Sequence, residues 1–265
     1  MQLERGMAGA IPYAATGSGD PIVALAGLWP TIGVESDRLV RGTLAPLRRL
    51  AASRRLVVFN RRANLPTGLT MSDLAAEYAD DIRTEFGAPV DLVGASTGGS
   101  IAQQLAAEHP EVVRRLVLLS TACRLGPVGR DVQRQVAAYL RRGEIRSAMS
   151  LIGANLAPRG FRTVARGLAW TAARRVLADP VTVADLAATL EAEDSFDLAS
   201  CEQPIQAHTL IVAGGRDRFY GNDLFTATAA LIPNSYLQLF PRRGHITVAS
   251  HPGAHAMIAG FLSQS

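Results

Sequence analysis

Ser96 stands between Gly94 and Gly98 in the stretch "VDLVGASTGGSIAQQL", residues 90–105. An apolar run precedes it, and Ile101 and Leu105 begin a helical pattern after it. The spacing therefore predicts a strand, a sharp turn carrying Ser96, and a helix. Such a turn presents a serine hydroxyl and forces its backbone into strain, and the flanking positions must be small. Competing uses of the loop fail on residue type. A dinucleotide fingerprint needs glycine where Ser96 stands, and a phosphate loop needs lysine.

A serine hydroxyl is a weak nucleophile at neutral pH. It needs a base, and the base needs an orienting acid. "TLIVAGGRDRFYGNDLF" (209–225) sets Asp217 in a glycine-rich turn just past a strand, and "LQLFPRRGHITVASHPG" (237–253) sets His245 after a later one. Asp223 competes with Asp217 as the acid, but it falls at a helix start, where an N-cap role is expected.

These residues need a scaffold. "IVALA" (22–26), "RLVVF" (55–59), "VDLVG" (90–94), "LVLLS" (116–120) and "TLIVA" (209–213) are short, rich in Leu and β-branched residues, and fit strands buried on both faces; "YLQLF" (236–240) is a weaker sixth. Between them, Leu74, Tyr78, Ile82 and Phe86 recur every four residues, behind a Thr70/Asp73 capping box and ahead of the stop "GAP" (87–89). A further helix ends before Pro110, and another covers 251–262. Strand and helix alternating at this cadence imply a mostly parallel sheet. The alternation breaks between about 125 and 205, where the pattern is helical throughout.

Composition excludes several classes. The chain has 265 residues, 48% of them hydrophobic, enough for one large α/β domain with an insertion. All 27 basic residues are arginine, so Schiff-base lysine and pyridoxal phosphate chemistry are excluded. The net charge is only +4 and the arginines are scattered pairs, which argues against nucleic acid despite a pI near 9.6 and suits a GC-rich bacterial source. Cys123 and Cys201 fit small buried residues. His109, His208, His251 and His255 show no metal spacing, and neither metal nor cofactor is expected. No apolar run is long enough to span a bilayer, and no signal segment is evident. A soluble cytoplasmic protein without a membrane partner is expected, with its oligomeric state open.

Taken together, "PIVALAGLWP", "VDLVGASTGGSIAQQLAAEHPEVVRRLVLLS", "TLIVAGGRDRF" and "GHITVASHP…FL" resemble the α/β-hydrolase family in order and spacing over nearly the whole chain. The resemblance implies a mostly parallel central sheet flanked by helices, with a core at 1–125 and 206–265 and a helical cap at 126–205 walling the substrate pocket. It implies Ser96 as nucleophile, His245 as general base and acid, and Asp217 as the residue orienting His245. It also implies an oxyanion hole from the backbone N–H of Thr97 and one from "AGLWP", Leu28 first and Trp29 second. Two departures stand out. Ala26-Gly27 replaces the family's frequent His-Gly, and "FNRRANLPTG" (59–68) replaces an acidic, glycine-rich turn. Arg61 is thus open to a substrate carboxylate or to a structural ion pair; Trp29 and Trp170 are the other substrate contacts expected.

The expected reaction is hydrolysis of an ester, thioester or lactone of a small to medium apolar substrate through an acyl-enzyme on Ser96. Hydrolysis of a C–C bond or cofactor-free perhydrolysis could use the same three residues. A hydrolase-like binding or cyclising protein with little turnover is the alternative from another class. Dehalogenases and epoxide hydrolases of this fold need aspartate where Ser96 stands.

Overall fold

The computed structural model describes residues 2–264. Among them, eight strands form one sheet in the order β1-β2-β4-β3-β5-β6-β7-β8. The strands are β1 (Glu4–Ala8), β2 (Ile11–Thr16), β3 (Pro21–Leu25), β4 (Arg55–Phe59), β5 (Val90–Ala95), β6 (Val113–Leu119), β7 (His208–Gly214) and β8 (Ser235–Phe240). From β3 to β8 every pairing is parallel, while β1 and β2 form an antiparallel hairpin that extends the β4 edge. All six strands expected from the sequence are present. The hairpin was not expected, because "ERGMA" lacks apolar alternation and leaves Met7 exposed.

The sheet is buried on both sides by alternate residues of the same strands. On one face, Val23, Leu25, Val57, Phe59 and Leu92 pack against α2 (Met71–Phe86) and α3 (Thr97–Glu108). On the other, Ile22, Ala24, Leu56 and Val58 pack against α1 (Asp37–Leu44) and the last helix, α10 (Pro252–Leu262). Each such fully buried Leu, Ile or Val contributes about 1.5–3 kcal/mol relative to exposure. α2 carries the expected capping box, with the Thr70 N–H donating to Asp73 and the Asp73 N–H to Thr70 Oγ1. It ends at Gly87 with φ 64°.

Four helices separate β6 from β7: α4 (Pro127–Arg141), α5 (Ile145–Leu156), α6 (Arg162–Val176) and α7 (Pro180–Asp194). They have an apolar core of their own, including Val136, Leu140, Leu186 and Leu190, which runs on into Phe219, Tyr220 and Phe225 beyond β7. Two short helices complete the chain, α8 (Asn222–Leu231) after β7 and α9 (His245–Ala249) after β8. No helix among the described residues is long and apolar enough to cross a membrane.

Candidate active site

The turn from β5 into α3 holds Ser96 at φ 52° and ψ −125°, a conformation costing a non-glycine residue about 1–3 kcal/mol. Only small neighbours let the chain turn so sharply. A Cβ on Gly94 would lie 2.6 Å from the Gly98 carbonyl oxygen, and one on Gly98 would lie 2.4 Å from the Leu25 carbonyl oxygen. The Ser96 N–H donates to the Leu119 carbonyl, anchoring the turn to the end of β6.

Asp217 and His245 arrive from the loops after β7 and β8. His245 Nδ1 lies 2.7 Å from Asp217 Oδ2, and its Nε2 lies 3.0 Å from Ser96 Oγ. A carboxylate only accepts, so Nδ1 carries the proton and donates to Asp217. Nε2 is then the acceptor for the Ser96 hydroxyl. The other Asp217 oxygen accepts the Phe219 N–H at 2.9 Å. Tyr220 stacks on the imidazole with ring centroids 5.9 Å apart, and Phe219 lies against it at 5.1 Å. Ser120, also at positive φ, donates its hydroxyl to the His245 carbonyl at 2.7 Å. The imidazole is therefore fixed at both nitrogens, on its ring faces and through its backbone. Burial, followed by the nearby Glu193 charge, holds the Tyr220 phenol well above its usual range, so it stays neutral.

Across the turn lies the loop after β3. The N–H groups of Ala26 and Trp29 are engaged by the carbonyls of Phe59 and Gly27, at 3.0 and 2.7 Å. Leu28 N–H has no acceptor among the described residues, so Leu28 rather than Trp29 is the donor open to a ligand. Thr97 is the first residue of α3, where backbone N–H groups lack intrahelical acceptors. The departure at "FNRRANLPTG" has a structural explanation. Asn60 Nδ2 donates to the carbonyls of Thr31 (3.0 Å) and Gly33 (2.7 Å), and Arg61 Nη2 donates to that of Trp29 (2.7 Å). These two buried side chains clamp the loop from beneath, and burial pulls the Arg61 pKa down from its usual value.

Ser96 and His245 open onto a cavity of about 240 Å³. Its other walls are Leu28, Trp29, Leu119, Phe219 and Ile246 from the sheet side, and Val132, Gln133, Val136, Ile152, Leu156 and Leu190 from α4, α5 and α7. The lining is apolar apart from small hydroxyls, His245 and the single amide of Gln133, and no arginine or carboxylate faces it among the described residues.

A further buried carboxylate was missed in the sequence. Glu193, near the end of α7, is fully buried and accepts from Thr97 Oγ1 (2.7 Å), Ser100 Oγ (2.8 Å) and Gln133 Nε2 (2.9 Å). Burial pushes its pKa up against the pull of those bonds. The segment "LEAED" carried no signal for this, since acidic residues at a helix end usually face water.

Residues 22–256 match the model of the Alpha/beta hydrolase family. The chain belongs to that family. Among its relatives, it is similar to 2-hydroxymuconate semialdehyde hydrolase of Pseudomonas sp. (strain CF600), 27% identical over 94% of this chain and 89% of that one. In fold it is similar to MGS-M2, an alpha/beta hydrolase from a Medee basin deep-sea metagenome library, with a TM-score of 0.80 and 18% identity over 96% and 94% of the two chains. The enol-lactonase of Burkholderia xenovorans LB400 superposes with a TM-score of 0.77 and 19% identity, over 98% and 100% of the chains.

Of the residues expected at a hydrolase site, Ser96, Asp217 and His245 come together, with Leu28, Thr97 and Trp29 beside them in the cavity wall. Arg61 does not reach the cavity; it lies beneath the loop that carries Trp29. Trp170 is also absent from the cavity wall: it is half exposed on α6, with the Arg146 guanidinium 4.2 Å above its ring. Asp223 is not an N-cap, because Gly221 holds that position. Asp223 sits exposed in the first turn of α8, where a negative charge suits the helix dipole.

Proposed function

We propose that this protein is a serine hydrolase that cleaves a neutral ester, thioester or lactone of small to medium apolar character through an acyl-enzyme on Ser96. The observation that carries this is the unbroken Ser96–His245–Asp217 relay, with contacts of 3.0 and 2.7 Å, at the wall of an apolar cavity.

The geometry supports the following chemistry. Ser96 Oγ attacks the substrate carbonyl as His245 Nε2 takes its proton. Asp217, accepting from Nδ1, stabilises the imidazolium that forms. The carbonyl oxygen gains negative charge and is met by the N–H groups of Thr97 and Leu28, each contributing about 3 kcal/mol to the transition state. Collapse breaks the bond to the leaving group, which takes the proton from His245. Water then enters and attacks the acyl carbon as it loses a proton to the same nitrogen; collapse breaks the bond to Ser96 Oγ, which takes that proton back from His245, and the acid is released.

The helical insertion acts as the cap over this site, because three of its four helices supply cavity wall. The cavity lies below the roughly 300–1,000 Å³ usual for drug-sized ligands, which favours a compact substrate. A wall without arginine or lysine favours a neutral one. A second reading, hydrolysis of a C–C bond beside a carbonyl, is favoured by the relative that acts on 2-hydroxymuconate semialdehyde and spans 94% of this chain. Assay of 4-nitrophenyl esters, acyl thioesters, lactones and a vinylogous 1,5-diketone with wild type and Ser96→Ala tests both. Ester turnover that disappears in the variant supports the first reading, and turnover of the diketone alone supports the second.

A further inference from the structure

Glu193 has no part in the relay, yet it joins three segments around it. It is carried by α7 of the insertion, and it accepts from Thr97 and Ser100 of α3 and from Gln133 of α4. All three donors are neutral, and the carboxylate is fully buried. Burying such a group is costly, and here three hydrogen bonds offset the cost while tying three segments together.

What it holds is specific. Thr97 follows Ser96 in the strained turn, so the same residue offers its backbone N–H beside the nucleophile and its hydroxyl to Glu193. Gln133 is the one amide in the cavity wall among the described residues, and its nitrogen donates to Glu193. Eight residues earlier on α7, Asp185 accepts the backbone N–H groups of Asn64 (3.0 Å) and Leu65 (2.8 Å). Two carboxylates thus moor α7 to the core, one of them directly behind the turn.

From this arrangement we infer that Glu193 is a positioning residue through which the helical insertion sets the oxyanion donor at Thr97. The inference rests on the proposed role of Ser96 and Thr97. The first peptide of α3 is already held through its Ser96 carbonyl, which accepts from the Gly99 and Ser100 N–H groups at 2.7 and 3.2 Å. The grip of Glu193 on Thr97 Oγ1 adds a side-chain hold that narrows the remaining freedom in the direction of the Thr97 N–H. Docking of α7 and assembly of the oxyanion site are then one event. Ser100, one turn further on, bonds the same carboxylate and the Tyr220 phenol but does not line the cavity, and it serves as the comparison.

The test uses full-length protein, 4-nitrophenyl butyrate and a fluorophosphonate probe. Glu193→Gln keeps the shape and removes the charge. It should lower kcat and the labelling rate of Ser96 at least 10-fold, with KM changed less than 2-fold. Thr97→Val keeps the backbone N–H and loses the hydroxyl; it should reproduce that pattern, and the double variant should be no more than 2-fold slower than the slower single. Ser100→Ala should cost at most 3-fold. If Glu193→Gln fails to fold, Thr97→Val against Ser100→Ala decides alone, and equal effects of the two overturn the proposal. It is also overturned by multiplicative losses in the double variant, or by lowered melting temperatures with unchanged kcat. Absence of labelling in the wild type would instead overturn the role of Ser96 and the inference with it, whereas labelling equally fast in wild type and Glu193→Gln would remove the inference alone.

Discussion

The C-terminal edge of the sheet and the helical insertion above it hold polar side chains by different means. At the sheet edge, Ser96, Asp217 and His245 are aimed by backbone: a turn at φ 52°, two loops after parallel strands, and an N–H from Phe219 on Asp217. In the insertion, Asp185 and Glu193 stand on a regular helix and their side chains reach across to the core, while Gln133 of α4 bonds Glu193 within the insertion. On the proposed reading, the first region carries the chemistry and the apolar part of the second selects the substrate. A backbone-built site is stiff and fixes the chemistry, while a side-chain-moored roof of apolar residues can change with little cost to the fold beneath.

Substitutions at the sheet edge should have the largest effects. Ser96→Ala should lower turnover by about 10⁴-fold or more, with folding retained by circular dichroism. Asp217→Asn keeps the shape but favours the wrong imidazole tautomer, and should cost about 10³–10⁴-fold in kcat. Arg61→Met frees the loop that carries Leu28 without touching the cavity. Its kcat should fall about 10-fold while KM stays within 2-fold, as read from steady-state kinetics across a substrate series.

Apart from Glu193, which bonds Thr97 beside Ser96, the apolar roof of the insertion should answer in selectivity. Leu156→Phe narrows the cavity, so kcat/KM for 4-nitrophenyl hexanoate should drop about 10-fold relative to the acetate, with Ser96 labelling by a small fluorophosphonate unchanged. An equal loss on both esters would show that the roof does not select by size.

The smallest effect on turnover is expected at the opposite end of β5. Asp91 is fully buried and accepts from Arg54, Arg114 and Arg115. Burial alone would raise its pKa, but bonds from Arg115, Arg114 and Arg54 outweigh it and hold the carboxyl at about 2. A folded pKa below the unfolded one stabilises the native state above about pH 4, a contribution lost as pH falls toward 2. Asp91→Asn should therefore destabilise the protein by about 3 kcal/mol in urea at neutral pH, flatten that acid limb and leave kcat within 2-fold. A marked loss of kcat would mean that the two ends of the strand are coupled.

The same contrast explains what could be read from the sequence. The parallel strands are visible as short apolar runs because both of their faces are buried, and Ser96, Asp217 and His245 are visible because turns after such strands need glycine and polar residues in a fixed order. The β1–β2 hairpin is not, since its outer strand is half exposed and carries charge. Arg61 and Glu193 were hidden for another reason. Each is a charged residue whose burial depends on a segment far away in the chain, the 26–33 loop for Arg61 and the start of α3 for Glu193. Their partners are hydroxyls, an amide and backbone carbonyls, which leave no charge pattern to find. Trp170, a large aromatic in the insertion, suggested a ligand contact, but it stands on α6, which supplies no cavity wall, and the Arg146 guanidinium covers its ring.

The most direct measurement is intact-mass spectrometry of the full chain after exposure to a fluorophosphonate, with Ser96→Ala beside it. A single adduct that maps to Ser96 and is absent from the variant is expected. A folded wild-type protein that takes up no adduct, or takes it up at another residue, would contradict the proposed role of Ser96.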